Sequence, residues 1–313
     1  MSEKLKMKTN RRIVPARLLA QRLLTRTYPF IVSAISAAVV FVPYASVASV
    51  VVHDTFSDGG WTDGSDPQDI SWYKSHADIQ LSITDDPVLG TGNALHADIP
   101  TLTLPDHRFV VGTFAPLTVG PHPGNYIRAS FDLRLHDPIV SETDSNLRLG
   151  ILSSSGTPIT SDAFTTGDDD VGYGQGCEAY SSTFASRLKW HLGADIGGGG
   201  DGWLDTDTYT PDPPPVLNDS TIKHSVAWTI TRLTSSSIEV MFEMDGYSAT
   251  AIDSSEYRVE TFDELVVRGS FSEPLDFTID NVVVEEVPEP HSLLLMLGAW
   301  CLVMLPRPFN RAT

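Results

Sequence analysis

Six tryptophans, a surplus of aspartates and two closely spaced acid pairs are the residues of this chain whose types and spacing could do chemistry. The C–H faces of a pyranose stack on flat aromatic rings, and Trp61, Trp72, Tyr73, Trp190, Trp203 and Tyr209 offer such rings. Trp61 and Trp203 lie among Gly and Asp, where a large ring needs a partner, either a ligand or the protein's own surface. Trp61, Trp72 and Trp203 are the candidate glycan-binding residues. Calcium requires several oxygens converging at roughly 2.3–2.6 Å. Asp58, Asp63, Asp66, Asp168, Asp169, Asp170 and Asp201 carry carboxylates, but no run has EF-hand spacing. A calcium site where the first and last strands of the domain meet would draw on Asp54 and Asp280. Asp280 is equally suited to accepting backbone N–H bonds at a turn. Calcium is thus the candidate cofactor, on Asp54 and Asp280.

Glycoside hydrolysis needs two carboxylates roughly 5–5.5 Å or 6.5–9.5 Å apart. On a strand, residues i and i+2 share a face, so Glu142-Thr143-Asp144 and Glu243-Met244-Asp245 come nearest to such a pair. Leu147 and Ser248 stand where a third acid would complete either run, and Asp245 suits a turn. There is no Gly-x-Ser-x-Gly elbow, and the 9 histidines are scattered. The chain reads as a binding or structural protein rather than an enzyme. The alternative is a glycoside hydrolase or polysaccharide lyase.

The elements that must position these residues are short strands. Ile127, Ala129, Phe131, Leu133 and Leu135 alternate with Arg128, Ser130, Asp132, Arg134 and His136, which predicts a half-buried strand. Leu147, Leu149 and Ile151 begin another, and Val226, Trp228 and Ile230 a third. Ile238, Val240, Phe242 and Met244 alternate up to Asp245-Gly246, and Tyr247, Ala249 and Ala251 resume beyond it. Asp-Gly between alternating runs predicts a hairpin. Phe277 and Ile279, then Val282 to Val284, predict a final strand. Gly156 to Tyr180, and Gly197 through Trp203 to Pro215, are predicted to be long loops from their Gly, Asp and Pro content. Many short strands with polar turns predict an all-β antiparallel β-sandwich or jelly roll over residues 49–286.

Four stretches give this body a resemblance to the concanavalin A-like or laminin-G-like sandwich: Asp54-Thr55-Phe56, Gly92-Asn93-Ala94-Leu95, Asp245-Gly246 and Phe277-Thr278-Ile279-Asp280-Asn281-Val282. The resemblance implies two stacked sheets; the loop tryptophans, with the two terminal segments described below, lead to an expected role in binding polysaccharide or in building a matrix.

Charge sets the ends apart from the body. The 313 residues carry a formal net charge of −19, yet the first 26 hold Lys4, Lys6, Lys8, Arg11, Arg12, Arg17, Arg22 and Arg26 against the single acid Glu3. So acidic a body argues against nucleic acid as a partner, because phosphates would be repelled. The basic head, the apolar run from Phe30 to Val42, Pro43 and the small residues Ser46 and Ala48 read as a signal peptide over residues 1–48, cleaved after Ala48. Of the two cysteines, Cys177 lies in the body and Cys301 in the apolar tail, so a body disulfide is not expected.

At the other end, Val287-Pro288-Glu289-Pro290 is followed by an apolar segment, residues 292–305, and then by Arg307 and Arg311. The order of motif, apolar segment and basic end resembles the PEP-CTERM sorting signal of exopolysaccharide-producing Gram-negative bacteria. The resemblance covers residues 287–313. It implies a tail that anchors the chain in the inner membrane and is processed by an exosortase-like peptidase. The two prolines keep the motif extended and open to such a peptidase. The arginines would stay cytoplasmic by the positive-inside rule. The implied destination is the cell envelope or extracellular matrix, with the tail as membrane anchor before processing and extracellular polysaccharide as a partner. A helix is expected at each end.

Overall fold

A computed structural model describes residues 49–62, 69–90, 92–100, 108–136, 147–164, 170–177, 187–190, 202–205, 208–210, 217, 219–269 and 274–286. The signal segment with Ala48, and the tail with Val287, Pro288, Glu289, Pro290, Arg307 and Arg311, lie outside these residues, as do both expected terminal helices. Among the described residues no helix is long and apolar enough to cross a membrane.

Every element among the described residues is a strand. In chain order they are β1 (Ser49–Asp54), β2 (Ser71–Lys74), β3 (Gln80–Asp85), β4 (Asn93–Ile99), β5 (Arg108–Thr118), β6 (Tyr126–Leu135), β7 (Leu147–Ser153) and β8 (Val171–Cys177). The second half adds β9 (Arg187–Trp190), β10 (Gly202–Asp205), β11 (Thr208–Thr210), β12 (His224–Thr234), β13 (Ser237–Met244), β14 (Tyr247–Asp253), β15 (Thr261–Gly269) and β16 (Leu275–Glu286). They form two antiparallel sheets. The nine-stranded sheet runs β11-β14-β13-β12-β6-β16-β4-β3, with β1 also paired to β16. The seven-stranded sheet runs β10-β9-β8-β7-β15-β5-β2. The chain is therefore an all-β sandwich, as its alternation predicts.

The core sits between the sheets because alternate residues of each strand face inward. Along β6 the buried residues are Ile127, Ala129, Phe131, Leu133 and Leu135. On β12 and β13, Trp228 and Phe242 are cross-strand partners with ring centroids 4.9 Å apart. Such a pair contributes about 0.5–1.5 kcal/mol beyond the area it buries. The opposing sheet supplies Trp72, Leu149, Ile151, Leu265 and Val267 to the same cluster. Cys177 is a buried free thiol there, and burial pushes its pKa up, so it stays protonated and inert.

The hairpin predicted at Asp245-Gly246 joins β13 to β14, with φ of 51° and 85° at its two turn residues, the left-handed values of a type I′ turn. The predicted first-to-last strand pairing is present as well, with Asp54 opposite Val282. β16 carries a bulge between Asp280 and Val283, where Asn281 takes a φ of 53°. That bulge re-aims the polar side chains around Asn281 and so helps to shape the site described below.

Two predicted loops contain strands. Gly172, Gly174 and Gly176 belong to β8, which pairs with β7. A Cβ on Gly172 would lie 2.3 Å from the Ile151 carbonyl oxygen and 2.7 Å from the Leu152 Cα. The glycine there allows close cross-strand approach rather than a flexible loop. The excursion from Gly197 to Pro215 likewise holds β10 and β11, and Trp203 is a strand residue opposite Lys189.

Candidate functional site

The outer face of the nine-stranded sheet carries the polar half of the alternation. Antiparallel register places Ser225 opposite Asp132, Ala227 opposite Ser130 and Thr229 opposite Arg128 across β12 and β6. Ala227 also faces Glu243 on β13, and Asp280 of β16 faces Asp132. Small residues in the middle and long ones at the sides leave a groove of about 370 Å³, lined chiefly by Arg128, Ser130, Asp132, Ser225, Glu243 and Asn281. The sheet supplies its floor, and the β13–β14 turn at Asp245-Gly246 closes one end.

The charged groups in the groove are held by their neighbours. Arg128 Nη1 donates to Glu243 Oε2 at 2.6 Å and to Thr229 Oγ1 at 3.0 Å. Asp132 accepts from Ser225 Oγ at 3.1 Å, Lys223 Nζ at 3.1 Å and Asn281 Nδ2 at 3.0 Å. Asp245 accepts from the Ser225 amide at 2.8 Å and pairs with His224 Nδ1 at 2.6 Å. Arg128 and Glu243 are each about one-third exposed, so both reach solvent while braced. Fixed carboxylates, a guanidinium and a side-chain amide on an open surface can hydrogen-bond hydroxyl groups. The floor of small side chains admits a flat ligand.

Further along the same face, toward β4, His96 Nε2 bonds Asp276 Oδ1 at 2.7 Å, and the His136 ring meets the His96 ring edge-on with centroids 5.5 Å apart. Asp86 is buried beside them. It accepts from Thr278 Oγ1 at 2.5 Å, Arg134 Nη1 at 2.8 Å and the Val88 amide at 3.0 Å. These three donors outweigh the cost of burial and hold its carboxyl below the usual range.

The sequence-predicted site residues are dispersed. Trp72 is fully buried in β2, where its ring lies against the Gly112 position of β5. It is a core residue with no face for a sugar, because β2 lies against β5 and turns that side of the strand inward. Trp61 is half-buried and packs on the core cluster. Trp203 is in β10, at the opposite edge of the seven-stranded sheet from β2. The three tryptophans thus do not form one platform.

The calcium pair is split as well. Asp54 shares the inward side of β1 with Val52, and its carboxylate accepts from the Phe56 amide at 2.7 Å. Burial pushes its pKa up to about 6, with Asp69 adding to the effect and the Phe56 amide opposing it. Asp280 stands on the outer face near Asp132, Lys223 and Asp86, and burial raises its pKa too. Strand alternation and the bulge send the two carboxylates to opposite faces, so they do not converge on one ion. Of the acid pairs, Glu142 and Asp144 lie outside the described residues, while Glu243 and Asp245 are engaged by Arg128 and His224. The groove residues Arg128, Ser130 and Asp132 do stand in the sequence as the polar half of an alternating strand. What the sequence lacks is any sign of which strands lie beside β6.

No family model matches the chain, and no curated protein matches its sequence. Solved structures similar to it include the T. cruzi calreticulin globular domain, with 11% identity and a TM-score of 0.47, over 80% of this chain and 93% of that one. Lectin II from Ulex europaeus is 12% identical with a TM-score of 0.40, over 77% of this chain and all of that one. The metal-free form of lectin I-B4 from Griffonia simplicifolia is 11% identical with a TM-score of 0.41, over 75% and 99%. At such identities the likeness concerns the fold alone, and the fold is the antiparallel β-sandwich already read from the two sheets.

Proposed function

We propose that this chain is an exported cell-envelope or matrix protein that binds polysaccharide, without cleaving it, through the groove on the outer face of its nine-stranded sheet. The groove is the observation that carries the reading: about 370 Å³ of open surface with a floor of small residues and a ring of braced, hydroxyl-directed groups. Export and anchoring rest on the basic head with its apolar run and on the Pro288-Glu289-Pro290 tail. In this reading the sandwich stays outside the inner membrane until an exosortase-like peptidase acts on the tail.

The test is a binding screen of the purified full chain in detergent against neutral and acidic polysaccharides, with calcium and with chelator. The reading expects retention on at least one neutral polysaccharide and no new reducing ends. The acidic body disfavours polyanions. No retention anywhere would end the lectin reading, and reducing-end release would replace it with a glycan-active enzyme.

A further inference from the structure

We propose that His96, His136 and Asp276 form a binding site for one zinc ion on the outer face of the nine-stranded sheet. Three adjacent strands build it. His96 of β4 lies opposite Thr278 of β16, and Asp98 opposite Asp276. His136 directly follows β6, and its amide donates to the Asp276 carbonyl at 2.8 Å. One ligand atom from each of the three side chains lies within 4.8 Å of the other two. A tetrahedral ion with bonds near 2.0–2.2 Å brings its ligands to roughly 3.4 Å from one another, a modest closing of side chains that are only half-buried.

Three features favour a metal over a simple hydrogen-bonded cluster. First, His136 Nε2 is a buried nitrogen that makes no hydrogen bond among the described residues, and it stands 3.6 Å from Asp86 Oδ2, too far for one. An imidazole nitrogen left in this way has a free lone pair or a stranded proton, and a metal resolves either. Second, His96 is already oriented from behind by Ser82 Oγ, 3.3 Å from Nδ1. When Nε2 gives up its proton to ligate, Nδ1 takes one and donates it to Ser82, so the neutral ring changes only its tautomer. Third, the charges leave room for a cation. Among the described residues, Arg134 is the guanidinium beside Asp86 and Asp276, and Asp86 already pairs with it.

Two imidazoles and one carboxylate suit zinc and its transition-metal neighbours, not the oxygen cage that calcium requires. With three protein ligands the fourth position is open to water or to a ligand oxygen. The site is independent of the polysaccharide reading, since zinc affinity needs no glycan and glycan retention needs none of these three residues.

The experiment is zinc titration of the full chain after chelator treatment, followed by calorimetry and by metal analysis after desalting. The expected result is one retained zinc per chain and about a 100-fold loss of affinity in His136→Ala. Ser82→Ala is expected to lose about 10-fold, as a positioning residue. Cobalt(II) provides a second measurement that needs no variant: the visible d–d band of a four-coordinate site appears on loading the wild type and disappears on zinc addition. Thermal midpoints in chelator check that each variant folds, and His96→Gln replaces His136→Ala if the latter does not. Equal zinc affinity in the wild type and a folded variant, or no cobalt band in the wild type, overturns the proposal.

Discussion

Glu264 shows how far a single residue can govern this fold. It sits on β15 with no exposed surface, and Oε1 accepts a long 3.4 Å bond from the Ile159 amide. Burial, and then the nearby acids Asp170 and Asp263, hold its carboxyl well above the usual carboxylate range. The sign follows from proton binding. The folded chain keeps a proton that the unfolded chain has lost above about pH 4.3. Stability from this residue is therefore full at low pH and declines as pH rises toward the folded-state value. Glu264→Gln should flatten that decline, so that at pH 8 the variant is more stable than the wild type, relative to their difference at pH 5, by up to about 4 kcal/mol. Urea unfolding at the two pH values measures this, and parallel curves would contradict it. Trp72 shows the limit of residue-type reasoning at the same scale. Its ring chemistry suits a sugar, but its place is the core, and only the neighbouring sheet decides between the two.

At the scale of elements, alternation in the sequence was a sound guide where one face of a strand is polar. β6, β12, β13 and β14 all follow it, and the Asp245-Gly246 turn fixes the register between the last two. β8 was not legible, because Gly-x-Gly-x-Gly carries the composition of a loop. Its inward positions, Tyr173, Gln175 and Cys177, are all fully buried, while the glycines let the strand press against β7. The register itself makes a prediction. Gly172→Ala forces a Cβ against backbone and should cost about 1–3 kcal/mol. Gly174→Ala meets only the Leu149 carbonyl oxygen at 3.6 Å and should be within about 0.5 kcal/mol of the wild type. Comparable losses in thermal unfolding would show that β8 does not lie in this register. The groove was half-legible for a related reason. Arg128 and Asp132 stand on the polar face of β6, but their partners Glu243 and Asn281 lie 115 and 149 residues away along the chain, by pairings that periodicity does not encode.

For the whole molecule, the ends and the body make separate claims. β16 is an interior strand bonded to β6, β4 and β1, so the sandwich needs the chain as far as Glu286. The Pro-Glu-Pro motif begins two residues later, beyond the last described strand. Alanine at Pro288, Glu289 and Pro290 should therefore leave the melting temperature unchanged while altering membrane fractionation and apparent mass in cells of the native type. Unchanged location and mass would contradict the sorting role. The apolar run in the tail would span only about 20 Å as a helix, against a hydrocarbon core of roughly 30 Å, shorter than a full span and shorter than the sorting-signal resemblance implies.

The central claim is that the groove on the nine-stranded sheet is where polysaccharide binds. Ser225 is exposed, lies opposite Asp132 and lines the groove, so Ser225→Trp fills the groove without entering the core. The dissociation constant of the full chain for its retained polysaccharide, measured by calorimetry with both proteins melting alike, should rise at least about 10-fold in Ser225→Trp, a loss of roughly 1.4 kcal/mol. An unchanged constant in a folded variant would contradict the account and move the binding surface elsewhere on the sandwich.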